Sequence, residues 1–241
     1  MIKQDQPSIF GGSVIAAVSS CTDGNMSFNY GDRVKTLSHR MAFLDMIGIS
    51  IEHTTLVQVT YGEAKNFARY KVITDDYKAE GMAWPVSDTI ADALVVTQPG
   101  HGLFLPLADC AGLIIHDPVK DILMVSHVGR HSAEIDGARR SIEYLKNELN
   151  CEPKNLRVWV SPAVGKATYP LHARDGKSLH EVIREQLLDA GVIRENTQFS
   201  NIDTATTRDY FSHSQFLAGH RNSDGRFAIV AMMTEQGEPA A

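Results

Sequence analysis

Long apolar runs are absent from the 241-residue sequence, in which no window reaches the roughly 18 apolar residues of a membrane-spanning helix. The first residues, MIKQDQPSIFGG, lack the apolar centre of a signal peptide. Runs of Lys or Arg that would neutralise a row of phosphates are also missing, and the net charge is −6. We therefore expect a soluble, cytoplasmic protein that binds neither membranes nor nucleic acids.

Cysteine is scarce as well. Cys21, Cys110 and Cys151 are odd in number, far apart and without CxxC spacing. The sequence therefore predicts neither a disulfide framework nor a structural zinc knot, and each cysteine has to be interpreted from its own neighbours.

The hydrophobic fraction of 43% is sufficient for one large core. We expect a single domain over residues 1–233 and a disordered polar tail at 234–241. Helical spacing of apolar residues predicts helices at 36–48 and 133–149, and a capping box of Ser178 and Glu181 begins a third helix that Gly191 ends. Short β-rich segments predict strands at 55–59, 93–97, 103–107, 111–116, 122–128, 156–160 and 227–233. Without a strict βαβ rhythm, this order favours an α+β fold.

Cys110 directly precedes one predicted strand, and His127 lies near the end of the next. If these strands pair as antiparallel neighbours, the start of the first and the end of the second lie at the same sheet edge. A thiol and an imidazole that meet there can hold a divalent metal or act as nucleophile and base. The alternative is a small buried cysteine and a histidine that only hydrogen-bonds locally.

Residues 127–132 form the turn from this strand to the next predicted helix. Backbone N–H groups at a helix N-terminus attract phosphate, and Arg130 adds positive charge. The turn is therefore a candidate anion site. In the alternative interpretation Gly129 only permits a tight turn, Ser132 is a plain N-cap and Arg130 is solvated.

Three segments, ADALVVTQPGHGLFLPLADCAGLIIHDP, MVSHVGRHSAEIDGARRSIEYL and VWVSPAVGKATY, resemble the YfiH family, also called laccase-domain or polyphenol oxidase proteins. SFNYGD near the start and SDGRFAIVAMM near the end fit the same pattern, so the resemblance spans residues 10–233. It implies mixed β-sheets in a sandwich flanked by helices, layered α/β/β/α. It also implies a purine nucleoside phosphorylase that deaminates adenosine, with nucleoside and phosphate as small-molecule substrates.

The family holds zinc with His, Cys and His. Its ADC motif falls on residues 108–110 and its VHAGWRG turn on residues 126–132, which makes Cys110 and His127 the implied ligands. The first family histidine lies in a QVHG motif, whereas the matching stretch here is QVTYG, residues 58–62. His131 or His53 is then the candidate third ligand. Copper is less expected than zinc, because the dense histidine cluster that several copper ions require is missing.

The same match gives four candidate catalytic residues, Asp109, Cys110, His127 and Arg130. Asp109 is expected to orient the substrate or exchange a proton, unless it is only a sheet-edge residue. Arg130 stands one position from the arginine of the family's turn and is expected to replace it.

Two other functions remain open. One is a metal-free cysteine hydrolase with Cys110 as nucleophile and His127 as base. The other is a pseudoenzyme that keeps the pocket as a nucleoside-binding module, since several motif positions differ; the family's later cysteine, for example, matches near Asp203. His213 and His220 flank an aromatic-rich segment and are interpreted as surface histidines in a loop, with a pocket wall as the alternative.

Overall fold

Short strands and helices alternate along the part of the chain that the computed structural model describes, residues 1–60, 69–85 and 87–235. The strands are β1 (Val14–Val18), β2 (Thr54–Leu56), β3 (Tyr70–Val72), β4 (Ala93–Val96), β5 (Gly102–Leu107), β6 (Ala111–Asp117), β7 (Ile122–Val128), β8 (Arg157–Val160), β9 (Thr197–Phe199) and β10 (Phe227–Met233). The α-helices are α1 (Arg33–Met46), α2 (Arg130–Glu134), α3 (Gly137–Leu149), α4 (Leu179–Asp189) and α5 (His213–Leu217). Short 3₁₀ turns lie at Lys3–Asp5, Cys21–Asp23, Ile51–His53, Asp75–Tyr77, Pro153–Asn155, His172–Arg174 and Arg194–Asn196.

The strands form two sheets. The four-stranded sheet has the order β1-β10-β5-β2, in which β10 runs antiparallel to both its neighbours and β2 runs parallel to β5. The six-stranded sheet has the order β3-β4-β7-β6-β8-β9, with parallel pairs at both edges and antiparallel pairs between them. Both sheets are therefore mixed, which confirms the predicted α+β class.

Three apolar cores separate four layers. The central core lies between the two sheets and includes Leu105 of β5 and Ile114 of β6. A second core lies beneath the helices that cover the six-stranded sheet, with Ile142 of α3 and Val182 of α4. A third core lies on the outer face of the four-stranded sheet, where Phe43 of α1 packs. The resulting order, α/β/β/α, is the predicted one.

The predicted helices α1 and α4 are confirmed in type, with a different start for α1. It begins at Arg33, three residues earlier than predicted, because the Asp32 side chain accepts a hydrogen bond from the first turn. It ends before Gly48, whose φ of 72° is the left-handed conformation expected of a glycine after a helix. The capping box of Ser178 and Glu181 is present at the start of α4.

The single helix predicted at 133–149 is wrong. Asp136 adopts a left-handed backbone with φ 65°, which separates the short helix α2 from α3. Its carboxylate accepts from Arg139 at 2.7 Å and from Arg174 at 2.8 Å. These contacts stabilise the interruption between α2 and α3, which the apolar spacing of the sequence does not reveal.

Two sequence expectations, the polar tail and the QVTYG stretch, fall partly on residues that the structure does not describe. Thr234 and Glu235 follow β10 without regular structure, and the remainder of the predicted tail, 236–241, lies outside the described residues, as do Tyr61 and Gly62 of the QVTYG stretch. No helix within the described ranges is both long and apolar enough to cross a bilayer.

Candidate functional site

The site begins where β6 and β7 pair. Their antiparallel register sets Gly112 opposite His127 and Ala111 opposite Val128. Cys110, the residue before β6, therefore lies at the same sheet edge as His127. The strand pairing predicted from the sequence is confirmed.

Gly129 shows how closely the thiol and the imidazole converge. A Cβ atom at position 129 would lie 2.9 Å from Sγ of Cys110, 3.2 Å from Cε1 of His127 and 3.5 Å from its Nε2. The φ of Gly129 is −94°, an ordinary extended conformation. Glycine is required here by space rather than by the backbone, because the two side chains border one small volume.

His127 is only 4% exposed. Burial lowers the pKa of its imidazole to about 4, and Asp92 opposes this only partly. The ring is therefore neutral near pH 7. A neutral imidazole can ligate a metal or hydrogen-bond a substrate, but it does not favour the thiolate–imidazolium pair of a cysteine hydrolase.

Asp109 connects the site to two distant segments. Its backbone is left-handed, with φ 72°. Its carboxylate accepts from Oγ1 of Thr204 at 2.7 Å and from the backbone N–H of Ser214 at 2.6 Å. Both carboxylate oxygens are thus engaged by protein donors. This geometry favours the orienting role predicted for Asp109 over proton exchange.

Arg130 and His131 begin helix α2, directly after the Gly129 turn. The exposed Arg130 guanidinium lies 5.5 Å from the ring centre of Tyr169, with one nitrogen 3.3 Å from Nε2 of His131. Gly129 is the N-cap residue and Ser132 is buried within α2, so the interpretation of Ser132 as N-cap is wrong. With only five residues in α2, positive charge for an anion comes mainly from Arg130.

One pocket of about 530 Å³ brings the predicted residues together. It is lined by all five of them: Asp109, Cys110, His127, Arg130 and His131. Aromatic side chains from distant loops form other parts of its wall, among them Phe28, Tyr30 and Tyr169. Its volume falls in the range of small-molecule sites.

No described residue completes the set of three zinc ligands that the family resemblance implies. Within residues 1–60, 69–85 and 87–235, no three His, Cys, Asp or Glu side chains form a group able to hold a metal. His53 adjoins the start of β5, where Thr54 pairs with Gly102, whereas Cys110 follows the end of β5. That separation is roughly 16 Å of strand. His53 therefore does not complete the site, and the described residues do not fit a three-ligand zinc centre.

His213 is a pocket residue that the sequence interpretation assigned to a surface loop. It begins helix α5, lines the pocket and places Nδ1 2.8 Å from Oδ2 of Asp224. His220 is exposed, as expected, with Nδ1 2.9 Å from Oε1 of Gln215. The acidic residue of the SDGR segment, eleven positions after His213, was the available signal for this pair.

Asp203, near the position of the family's later cysteine, has a structural role. Its carboxylate accepts from the backbone N–H of Gly165 at 2.8 Å and of Ala205 at 2.9 Å. It borders a second cavity, of about 370 Å³, beside Val164, which the main pocket also contacts. Asp203 thus joins two loops behind the site.

A family model and a curated relative match this sequence. The model is described as multi-copper polyphenol oxidoreductase laccase, and it matches residues 13–176. A purine nucleoside phosphorylase of Corynebacterium glutamicum is 30% identical over 148 residues. That alignment covers 59% of this chain and 56% of the relative, so the chain spans just over half of that protein's length.

Two solved structures share the fold. YlmD of Geobacillus stearothermophilus superimposes with a TM-score of 0.82 at 19% identity, over 95% of this chain and 94% of its own. The hypothetical protein YfiH of Bacillus licheniformis gives a TM-score of 0.80 at 18% identity, over 92% and 93%. The predicted layered sandwich is confirmed by this likeness, which at such identities concerns the fold alone.

Proposed function

Since the chain belongs to the multi-copper polyphenol oxidoreductase laccase family, to which its YfiH-like motifs pointed, we propose that it is a purine nucleoside phosphorylase. The name of its Corynebacterium glutamicum relative supports this activity. The observation that carries the proposal is the pocket of about 530 Å³, which joins Cys110, His127 and Arg130 to aromatic walls.

The aromatic walls suit a flat heterocycle. The Tyr30 ring is held by the Arg226 guanidinium, whose carbon lies 3.9 Å from the ring centre, and Arg226 also donates to the Tyr30 hydroxyl. A ring fixed in this way loses little entropy when a ligand packs against it. Phe28 and Tyr169 add further flat apolar surface. Flat aromatic surface beside polar side chains suits a purine.

Phosphorolysis also requires a site for the phosphate anion, and Arg130 supplies the positive charge for it. A guanidinium binds two phosphate oxygens at once and keeps its charge throughout the working pH range. In phosphorolysis a phosphate oxygen forms a bond to C1′ of the nucleoside while the bond from C1′ to the purine breaks. Arg130 holds the attacking phosphate, and the neutral His127 and the Cys110 thiol hydrogen-bond and orient the reactants beside it.

Turnover of inosine and adenosine with phosphate, followed as release of ribose 1-phosphate, tests the proposal. Arg130→Ala is expected to raise the KM for phosphate by at least about tenfold, because one charge-assisted contact is worth roughly 1.5–3 kcal/mol. Arg194→Ala, at an exposed position outside the site, is the matched control and should leave the KM unchanged. Ammonia release from adenosine reports separately on the deamination that the family resemblance implies.

Other results would point to the alternative functions. Nucleoside binding without turnover would overturn the proposal in favour of a pseudoenzyme. Rapid alkylation of Cys110 with hydrolase activity would support the cysteine hydrolase instead, although the lowered pKa of His127 disfavours it.

Zinc held by Cys110 and His127, with or without His131, is what the family resemblance implies, but the donors among the described residues do not support it. Because the described residues supply no three-donor group, no catalytic step is assigned to a metal. Elemental analysis of the purified protein is expected to give well under one zinc ion per chain. Stoichiometric zinc that disappears in Cys110→Ala would contradict this expectation and restore the implied ligand set.

A further inference from the structure

We propose that His213, paired with Asp224, is the proton donor to the purine as it leaves, an inference that rests on the proposed phosphorylase function. A purine that departs with the electron pair of its glycosidic bond needs a proton at the ring. The carboxylate of Asp109 is engaged by Thr204 and Ser214. His213 lines the same pocket and has an acidic partner of its own.

The pairing of His213 fixes its ring chemistry. Its Nδ1 lies 2.8 Å from Oδ2 of Asp224, whose side chain is 9% exposed, whereas the His213 side chain is 41% exposed. A carboxylate at Nδ1 makes that nitrogen the donor and leaves Nε2 as the nitrogen that exchanges protons. This is the arrangement that a general acid at a pocket wall requires.

Asp224 is itself held in place. Its other carboxylate oxygen accepts from Nη1 of Arg226 at 2.8 Å, and Arg226 in turn donates to the hydroxyl of Tyr30. A charge-assisted hydrogen bond from an arginine fixes the orientation of the carboxylate. The chain His213, Asp224, Arg226 and Tyr30 therefore connects the proposed proton donor to the aromatic wall proposed for the purine.

His213 is also fixed relative to the other side of the site. The next residue, Ser214, donates its backbone N–H to Asp109, the neighbour of Cys110. Helix α5 is thus tied to the sheet edge that carries Cys110 and His127. This bond connects the segment of the proton donor to the predicted site residues, all of which line one pocket.

The proposed step balances in atoms and charge. A phosphate oxygen bonds to C1′, the bond from C1′ to N9 breaks, and its electron pair passes to the purine. His213 transfers its Nε2 proton to N7 of the leaving base, giving neutral purine and ribose 1-phosphate. The imidazole then regains a proton from the phosphate group through solvent, so no further reactant is needed.

His213→Gln assayed with two nucleosides tests this role. With inosine, which needs the proton, kcat should fall by about 100-fold or more, within the range of general acid catalysis. With 7-methylguanosine, whose base is already alkylated at N7 and leaves without that proton, kcat should fall less than about fivefold. His220→Gln, an exposed histidine of the same segment, is the matched control and should match the unaltered protein on both substrates.

The outcomes separate the proton donor from other roles. An equal loss on both nucleosides, or no loss on inosine, would overturn the proposal. Absence of turnover by the unaltered protein would refute the phosphorylase function itself and this inference with it. If His213→Gln does not fold, Asp224→Asn carries the test, because it removes the anionic partner and should lower kcat for inosine more than for 7-methylguanosine.

Discussion

Alanine at position 129 is expected to lower kcat/KM for nucleoside phosphorolysis by more than about 100-fold while the protein stays folded. The added Cβ would lie 2.9 Å from Sγ of Cys110, closer than such atoms approach, and within 3.5 Å of Nε2 of His127. The thiol must move, and a displacement of about 1 Å in a reacting site can cost 100-fold in rate. The φ of −94° suits alanine, so the loss of stability should stay below about 2 kcal/mol.

Gly12→Ala is the matched control for this substitution. A Cβ at Gly12 meets no atom within 4 Å, so activity and stability should both be unchanged. Steady-state kinetics and urea unfolding of the two variants separate occlusion of the site from a general effect of losing a glycine. Full activity in Gly129→Ala would show that the volume between Cys110 and His127 is not used in the reaction.

Asp109→Ala is expected to reduce the free energy of unfolding by about 3–5 kcal/mol. Two donors, the Thr204 hydroxyl and the Ser214 N–H, lose their acceptor, and each unsatisfied partner costs about 1–3 kcal/mol when buried. A left-handed alanine adds roughly 1–2 kcal/mol. These costs sum to about 3–8 kcal/mol. Because the site is half-buried and open to some water, the expected total lies in the lower part of that sum. Urea denaturation measures it.

Two further variants separate the two contributions to this loss of stability, the unsatisfied donors and the left-handed backbone. Asp121→Ala, at an exposed position with φ 52° in the turn between β6 and β7, reports the cost of the left-handed backbone. Asp109→Asn keeps one acceptor oxygen and tolerates that backbone, so it should lose only about 1–2 kcal/mol. Equal stability of Asp109→Ala and the unaltered protein would mean that the links to Thr204 and Ser214 do not hold the site together.

Local signals made much of the fold predictable. β7 and β10 have the predicted bounds, 122–128 and 227–233, because each is a long apolar run that is buried on both faces. The approach of Cys110 to His127 was predictable for the same reason, since adjacent strands with a short turn pair locally. Neither inference needed information about distant parts of the chain.

The missed elements depend on distant partners. β3 and β9 have only three residues each and exist because β4 and β8 offer a free edge. β1 pairs with β10, more than 200 residues away along the chain. The role of His213 is likewise set by tertiary contacts, with Asp224 and with the pocket wall, that no sequence period encodes.

The position of β10 has a consequence for how the chain folds during synthesis. This strand separates β1 from β5 in the four-stranded sheet, yet it is the last strand of the described chain. While the ribosome still holds residues 227–233, β1 and β5 expose unpaired backbone edges and apolar faces, the surfaces that chaperones recognise. The residues matched by the family model, 13–176, also lack both β10 and His213. Closure of the sheet and assembly of the pocket therefore both depend on the same late segment, and non-local strand pairing of this kind slows folding.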